Sequence, residues 1–278
     1  MRYLALICLL FASYPKSAAA DMKPDEVIAK HLDSIGTAEA RAAVKSRAVQ
    51  GTLRFKIVVG GGGETAGNWQ LLSEQRKSRF VMKFGNDKWW GEQFVFDGDK
   101  ASFSAATLSG KWSAFGGFVA SQDSLVKEGL LGGELGTGWA LQNIDRHRVK
   151  LDYIGLKKID GRELQGIEYL SKANGAMTIK LYFEPDTHHH VMTVYAVARA
   201  PVIAANDVAN ATQHEVRYII EERFSDFQTD SGITLPRKYD LRFSQELQNG
   251  TNSVYDWLMT ADKIVENPNL DPANFQAK

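Results

Sequence analysis

The sequence predicts a mainly β protein: a curved antiparallel sheet with an N-terminal helix and a central, partly helical lid. Two observations support this fold class. Apolar and polar residues alternate in about a dozen short segments, mostly joined by polar or glycine-containing turns such as Asp97-Gly98, as in an antiparallel meander. One apolar, glycine-rich insertion, at about 108–141, interrupts this series. A wide twisted sheet curls, and its concave apolar face needs a cover, which the insertion and the N-terminal helix can provide.

The first 20 residues have the pattern of an export signal. Arg2 is followed by the apolar run 4–12, and the small residues 18–20 precede Asp21, so we expect cleavage near Ala20 and a periplasmic product. Processing as a lipoprotein at Cys8 is the less favoured alternative, because the preceding residues are bulky. Residues 21–278 contain no proline-rich or serine-rich linker, which favours a single domain.

The composition of the expected mature chain excludes several kinds of site. Its lack of cysteine rules out disulfides and thiolate chemistry. The whole chain has 33 basic and 33 acidic residues, so removal of Arg2 and Lys16 leaves a net charge of about −2. With no long basic run, this charge argues against nucleic-acid binding. No later segment has the roughly 20 apolar residues that a membrane helix needs.

The predicted elements follow from the period of the apolar residues. Pro24 begins a helix that Gly36 ends, and a shorter helix spans about Thr37–Lys45. One strand, Val191–Val197, is apolar on both faces and is expected to be central or covered twice. The other predicted strands lie at about 53–57, 69–72, 80–84, 93–96, 101–103, 149–156, 164–170, 177–183, 216–224, 235–243 and 254–265.

The insertion supplies the candidate ligand contacts. It is too apolar for a solvated loop and too rich in glycine for a long helix, so we expect a hinged lid over the sheet. Its large side chains either contact acyl chains or merely complete a core, since a filled barrel and a ligand-holding barrel share this pattern. These candidates are Trp112, Phe115, Phe118, Leu125, Leu130 and Trp139.

A series of short motifs resembles the outer membrane lipoprotein-sorting and periplasmic lipoprotein carrier family, the LolA-like proteins. The order of the motifs is more specific than any one of them. They are Ile35-Gly36, Ser78-Arg79-Phe80, the segments 94–100 and 182–187, Phe224-Ser225-Asp226-Phe227, Gly232-Ile233-Thr234-Leu235-Pro236 and the segment 267–271.

The resemblance implies an unclosed β-barrel of about 11 strands, whose helices cover an apolar cavity for acyl chains. It also implies that an arginine on an early strand holds the lid by hydrogen bonds to helix carbonyls. Arg79 is the nearest match to this latch and Arg76 the second candidate. The implied role is outer membrane lipoprotein sorting.

Other chemistry has weaker support. His188 and His190 could share a strand face and ligate zinc, but the stretch His188-His189-His190 follows a Pro-Asp-Thr turn and is better explained as a solvated turn. His31 is expected to be a packed histidine. Asp226 and Asp230 shape a turn more plausibly than they bind calcium.

No motif indicates catalysis. The glycines at 60–63 lack the Lys and Ser/Thr of a phosphate-binding loop, those at 133–138 are better explained as flexible connections, and no G-x-S-x-G elbow is present. Trp89-Trp90 could contact a membrane or a partner protein.

We therefore expect a monomeric periplasmic carrier of lipid or lipoprotein acyl chains, without enzymatic activity, metal or cofactor. The alternative is an envelope structural or sensory module with a packed core and a protein partner, and a hydrolase is the third possibility. A cavity of several hundred cubic ångströms would favour the carrier.

Overall fold

The computed structural model describes residues 23–85, 91–106, 113–146, 149–199 and 215–276. The predicted signal peptide, the start of the lid with Trp112, and the Trp89-Trp90 pair lie outside these ranges.

Two helices precede the sheet. Helix α1 (Pro24–Ile35) begins at the predicted proline and buries one side against the core, including His31. Gly36 follows it, packed so closely on the turn before β11 that a Cβ atom there would lie 2.5 Å from the carbonyl oxygen of Gly232. Helix α2 (Ala38–Ala43) is capped by Thr37, whose hydroxyl accepts a hydrogen bond from the Ala40 amide at 3.2 Å.

Twelve strands of the described residues form one antiparallel sheet in the order β5-β4-β3-β2-β1-β12-β11-β10-β9-β8-β7-β6. The expected meander is confirmed, with one more strand than the family resemblance implied. The order begins with β5 and ends with β6, and no pairing joins these two strands within the described ranges, so the sheet is not closed into a barrel. The strands are β1 (Ser46–Val59), β2 (Glu64–Glu74), β3 (Lys77–Phe84), β4 (Glu92–Phe96), β5 (Ala101–Ala105), β6 (Lys150–Ile159), β7 (Arg162–Leu170), β8 (Thr178–Phe183), β9 (His190–Arg199), β10 (Val216–Asp230), β11 (Ile233–Glu246) and β12 (Asn252–Glu266).

The lid between β5 and β6 covers one face of the sheet, here called the inner face. Its described part contains α3 (Ala114–Ser121), α4 (Ser124–Lys127) and the 3₁₀ helices Gly133–Leu135 and Ala140–Arg146, so the partly helical character that the sequence predicted is confirmed. Lid side chains belong to the same buried cluster as α1 and the inner-face residues of the strands.

The opposite, outer face carries a smaller apolar cluster. Its buried members include Val191 and Met192 of β9, while Tyr195 and Val197 of the same strand belong to the main core. Strand β9 also pairs with a neighbour on each side. Strand β9 is therefore central in the sheet, as the first of the two predicted alternatives, central or covered twice, requires.

Candidate functional site

The predicted acyl contacts in the described part of the lid are all buried in the core. Their exposed fractions are 5% or less, and aromatic neighbours surround three of them. The Phe115 ring lies 4.9 Å from that of Trp257, and the Phe118 ring lies 5.6 Å from that of Phe243. The five residues are Phe115, Phe118, Leu125, Leu130 and Trp139.

The apolar space between the lid and the sheet is small. The sequence-based expectation was an open cavity, but the apolar cavity at the lid has a volume of about 30 Å³. Ligand cavities usually have about 300–1,000 Å³, so this space is about a tenth of the lower end of that range. The lid is therefore closed onto the sheet. The cavity is lined by Leu71, Ser73, Arg76, Ser78, Phe80, Phe94, Val126, Gly129, Leu131, Gly136, Gly138 and Trp139.

The contact expected from Arg79 is made by a different arginine. Arg79 points to the outer face, because its neighbour Phe80 points into the core, and it donates to Asn274 at 3.1 Å and to Gln93 at 2.9 Å. Arg47 on β1 is buried instead, and its Nη1 donates to the main-chain carbonyl of Glu134 in the lid at 2.6 Å. The contact with a lid carbonyl that the resemblance implied for Arg79 is thus made by Arg47, and the role of either arginine as a latch stays a prediction.

Arg76, the second latch candidate, lies beside the lid. Its guanidinium carbon is 5.6 Å from the centre of the Phe96 ring, within the usual range of a cation–π contact. Its main chain is so close to the lid that a Cβ atom on Gly138 would lie 3.1 Å from the Arg76 Cα.

Arg47 also has a charged partner. Its Nε donates to Glu266 on β12 at 2.8 Å. Burial raises the pKa of Glu266, although the nearby guanidinium opposes the rise. The pair orients Arg47 toward the lid, since the fork of the guanidinium can serve both acceptors.

A second buried contact joins the lid to β9. His190 is fully buried and its Nδ1 donates to the carboxylate of Glu134 at 2.9 Å, while its Nε2 is hydrogen-bonded to the hydroxyl of Thr193 at 2.7 Å. Burial alone would raise the pKa of Glu134, but the hydrogen bond and the attraction of the His190 ring hold that pKa below its ordinary value. The solvated turn predicted for the histidine stretch is wrong for His190.

The other histidines have different surroundings. His31 is buried as expected, and its Nδ1 donates to the carbonyl of His188 at 2.9 Å. Burial lowers its pKa to about 4. His189 stacks on Phe227 with 4.1 Å between ring centres. Within the described residues, no group of three or more acidic, histidine or cysteine side chains could hold a metal ion.

A third contact uses a buried acid on β10. Glu222 accepts hydrogen bonds from the lid amide of Gly132 at 2.7 Å, from Tyr195 at 2.6 Å and from Tyr239. The single hydroxyl proton of Tyr195 is shared with the carbonyl of Leu130, whose oxygen lies 3.1 Å from the hydroxyl oxygen. Burial raises the pKa of Glu222, although the two tyrosine hydroxyls oppose the rise.

Two further carboxylates complete the polar attachment of the lid. Glu128, at the end of α4, accepts from Tyr169 of β7 at 3.0 Å and from the hydroxyl of Ser171. Glu92 of β4 accepts from the Ser113 amide at 3.2 Å, at the start of α3. Burial raises the pKa of Glu92 to about 7, although the hydrogen bonds from Ser113 favour its charged form.

We call Arg47, Glu92, Glu128, Glu134, His190 and Glu222 the polar anchors of the lid. Sequence analysis missed these roles. A usable signal existed for Arg47 and Glu222, since each occupies an inner-face position of an alternating strand, between or beside apolar residues. Because a charge is rarely buried without a partner, such a position predicts a specific polar contact.

No family model and no curated protein matches the sequence. Several solved structures match this chain. A LolA superfamily protein from Nitrosomonas europaea is 12% identical, over 92% of this chain and 98% of its own, with a TM-score of 0.43.

Two other bacterial structures match to a similar degree. A DUF1329 family protein from Desulfovibrio piger is 11% identical, over 91% of this chain and 96% of its own, with a TM-score of 0.48. An outer membrane lipoprotein-sorting protein domain from Vibrio parahaemolyticus is 8% identical, over 89% and 95%, with a TM-score of 0.48. The matching structures include the LolA-like group that the sequence motifs resemble.

The described helices are all too short or too polar to cross a membrane.

Proposed function

We propose that this protein is a periplasmic binding protein, not an enzyme, that shelters acyl chains of lipids or lipoproteins between the inner face and the lid. The narrower role is outer membrane lipoprotein sorting. The observation that supports it is the way the lid is attached: an apolar surface is held on an apolar sheet by a few separate polar anchors. Such a segment can be displaced without unfolding the strands beneath it.

The first position for an acyl chain is the small apolar cavity. Phe80 and Phe94 of the sheet face Leu131 and Trp139 of the lid there. An entering acyl chain replaces these apolar contacts of the lid with apolar contacts of its own. Because the closed cavity has only about 30 Å³, binding requires the lid to move away from the sheet.

The free energies make this exchange feasible. Burying about ten methylene groups contributes about 8 kcal/mol. Each hydrogen bond between neutral groups contributes about 1 kcal/mol and each one to a charged group about 1.5–3 kcal/mol. One long acyl chain can thus offset the loss of several polar anchors, provided that the released carboxylates regain water.

The compartment follows from the sequence. Residues 1–20 have the pattern of an export signal, so we propose that the mature chain works in the periplasm. We propose that the mature protein is a monomer in its closed form.

The small cavity favours one alternative. If the lid stays closed, the protein is an envelope module with a packed core, and a partner protein binds its outer strands. The two functions differ in whether the inner face ever receives a ligand.

The experiment compares two arginine variants. Arg47→Leu removes a lid contact, whereas Arg79→Leu removes contacts on the outer face only. We expect Arg47→Leu to bind a fluorescent fatty acid faster than the wild type, and Arg79→Leu to bind it at the wild-type rate. Native mass spectrometry of gently purified protein should show bound lipid. If the purified protein carries no lipid, and if the Arg47→Leu variant does not bind the fatty acid either, the protein is the envelope module with a packed core.

A further inference from the structure

A second, polar cavity lies directly beside the lid. It has a volume of about 560 Å³ and lies between the first two helices, the turn that joins β2 to β3, and the lid. Among the described residues, its lining contains three cationic side chains and no carboxylate. The lining residues are Leu32, Ala38, Arg41, Ala42, Val44, Lys45, Gln75, Arg76, Thr137 and Gln142.

The three cations have few anionic partners among the described residues; Lys45 and Arg76 are exposed to water, and Arg41 is largely buried. Arg41 is 17% exposed, and its Nη1 is buried without a hydrogen bond. Its nearest carboxylate oxygen belongs to Asp33, 3.8 Å away on a side chain that is 78% exposed and therefore well screened by water. The ammonium group of Lys45 donates to the carbonyl of Ala42 at 2.6 Å. Arg76 contacts the Phe96 ring and forms no ion pair with a described residue.

The polar cavity adjoins the apolar cavity under the lid. Arg76 lines both of them. Along the lid, Thr137 lines the polar cavity, and its neighbours Gly136 and Gly138 line the apolar one. Cationic and apolar surfaces thus meet at a single place, at the edge of the lid.

We propose that the ligand is an anionic amphiphile, whose phosphate-type headgroup binds Arg41, Lys45 and Arg76 while its acyl chain enters under the lid. This inference rests on the proposed function and adds the class of lipid. Arginine forks match phosphate oxygens, and lysine adds a point charge. The side chains of Gln75 and Gln142 line the same cavity and supply neutral donors.

The position of the polar cavity at the edge of the lid also favours entry of the acyl chain. A headgroup at Arg76 places the first methylene groups beside Gly136, where an added Cβ atom would meet nothing closer than the carbonyl oxygen of Gly133 at 3.8 Å. At Gly138 the main chain of the lid packs on Arg76 and has to move away as the acyl chain enters. Binding of the headgroup at the rim then holds the chain at the point where the lid separates from the sheet.

The test uses the full mature chain and three probes in calorimetric titrations below the micelle concentration: dodecyl phosphate, neutral monolauroylglycerol and inorganic phosphate. Arg41→Gln and Arg76→Gln are the test variants. Lys158→Gln is the matched control, because Lys158 is an exposed cation on β6 outside this cavity. Circular dichroism checks that each variant is folded.

We expect the wild type and Lys158→Gln to bind dodecyl phosphate roughly tenfold more tightly than monolauroylglycerol, the gain of one charge-assisted contact. Each test variant should lose this preference, and added salt should reduce it in the wild type.

Equal binding of both amphiphiles by all variants would overturn the headgroup site and leave acyl binding intact. Absence of binding by either amphiphile would overturn the proposed function together with this inference. Binding of inorganic phosphate as tight as that of dodecyl phosphate, and lost in Arg41→Gln, would indicate a free-anion site and overturn the lipid assignment.

Discussion

His190 of β9 and Glu134 of the lid form a fully buried hydrogen-bonded pair, with 2.9 Å between Nδ1 and the carboxylate oxygen. The two residues are 56 positions apart in the chain, so the pair fixes the lid to a strand that is synthesised after it. Arg47 binds the main-chain carbonyl of the same lid residue from β1. Glu134 therefore connects the lid to two distant strands.

Removing one member of this pair should destabilise the fold. His190→Phe keeps a ring among Phe183, Phe224 and Trp139 but leaves the Glu134 carboxylate buried without its donor. We expect the free energy of unfolding to fall by about 3–5 kcal/mol, as for other broken buried pairs. Urea unfolding followed by tryptophan fluorescence measures this change.

A double variant separates the energy of the His190–Glu134 interaction from that of packing the ring at position 190. Adding Glu134→Leu to His190→Phe removes the unpaired charge, so the double variant should recover most of the lost stability. If the double variant is as unstable as the sum of the two single variants, the two side chains do not interact energetically.

The attachment of α3 should depend on pH through Glu92. The pKa of this buried acid is about 7 in the folded chain, against an ordinary value of 4.5. Between these values the folded state binds more protons than the unfolded state, so the contribution to stability is present below pH 4.5 and is lost as pH rises through 7. The shift corresponds to about 3 kcal/mol.

Comparison with Glu92→Gln isolates this group. His31, whose pKa is lowered to about 4, acts in the opposite direction between pH 4 and 6.5, and the difference between wild type and variant cancels it. We expect Glu92→Gln to gain stability relative to the wild type between pH 5 and pH 8, in urea unfolding at both values. A difference in stability that is independent of pH would show that Glu92 does not titrate in this range.

The sequence predicted the strands because their alternation and turns are local signals. The same alternation could have placed Arg79 on the outer face, since Phe80 has to face the core. The position of Glu222 between Ile220 and Phe224 likewise indicates a buried acid. The partners could not be predicted, because contacts such as that of Arg47 with Glu134 join residues 87 positions apart.

The sequence also could not predict that the cavity is closed. The pattern of apolar side chains is the same whether they pack on each other or around a ligand, so it predicted a lid and not its closure. The three consecutive histidines were predicted to lie in a solvated turn because they directly follow the turn residues Pro-Asp-Thr. Only the start of β9 at His190 turns that one ring into the core.

The lid glycines provide the last prediction. Gly129 has a φ of +68°, and a Cβ atom there would lie 2.1 Å from the carbonyl oxygen of Gly138. Gly129→Ala must therefore either strain the backbone or separate the two halves of the lid, and we expect a loss of about 1–3 kcal/mol. Gly117→Ala is the matched control, because it lies within α3 and its Cβ would meet nothing within 4 Å, so stability should stay equal or rise by up to about 1 kcal/mol. Hydrogen exchange of residues 124–141 is the measurement: it should become faster in Gly129→Ala and stay unchanged in Gly117→Ala. Equal exchange in both variants would show that the close contact at Gly129 does not hold the lid closed.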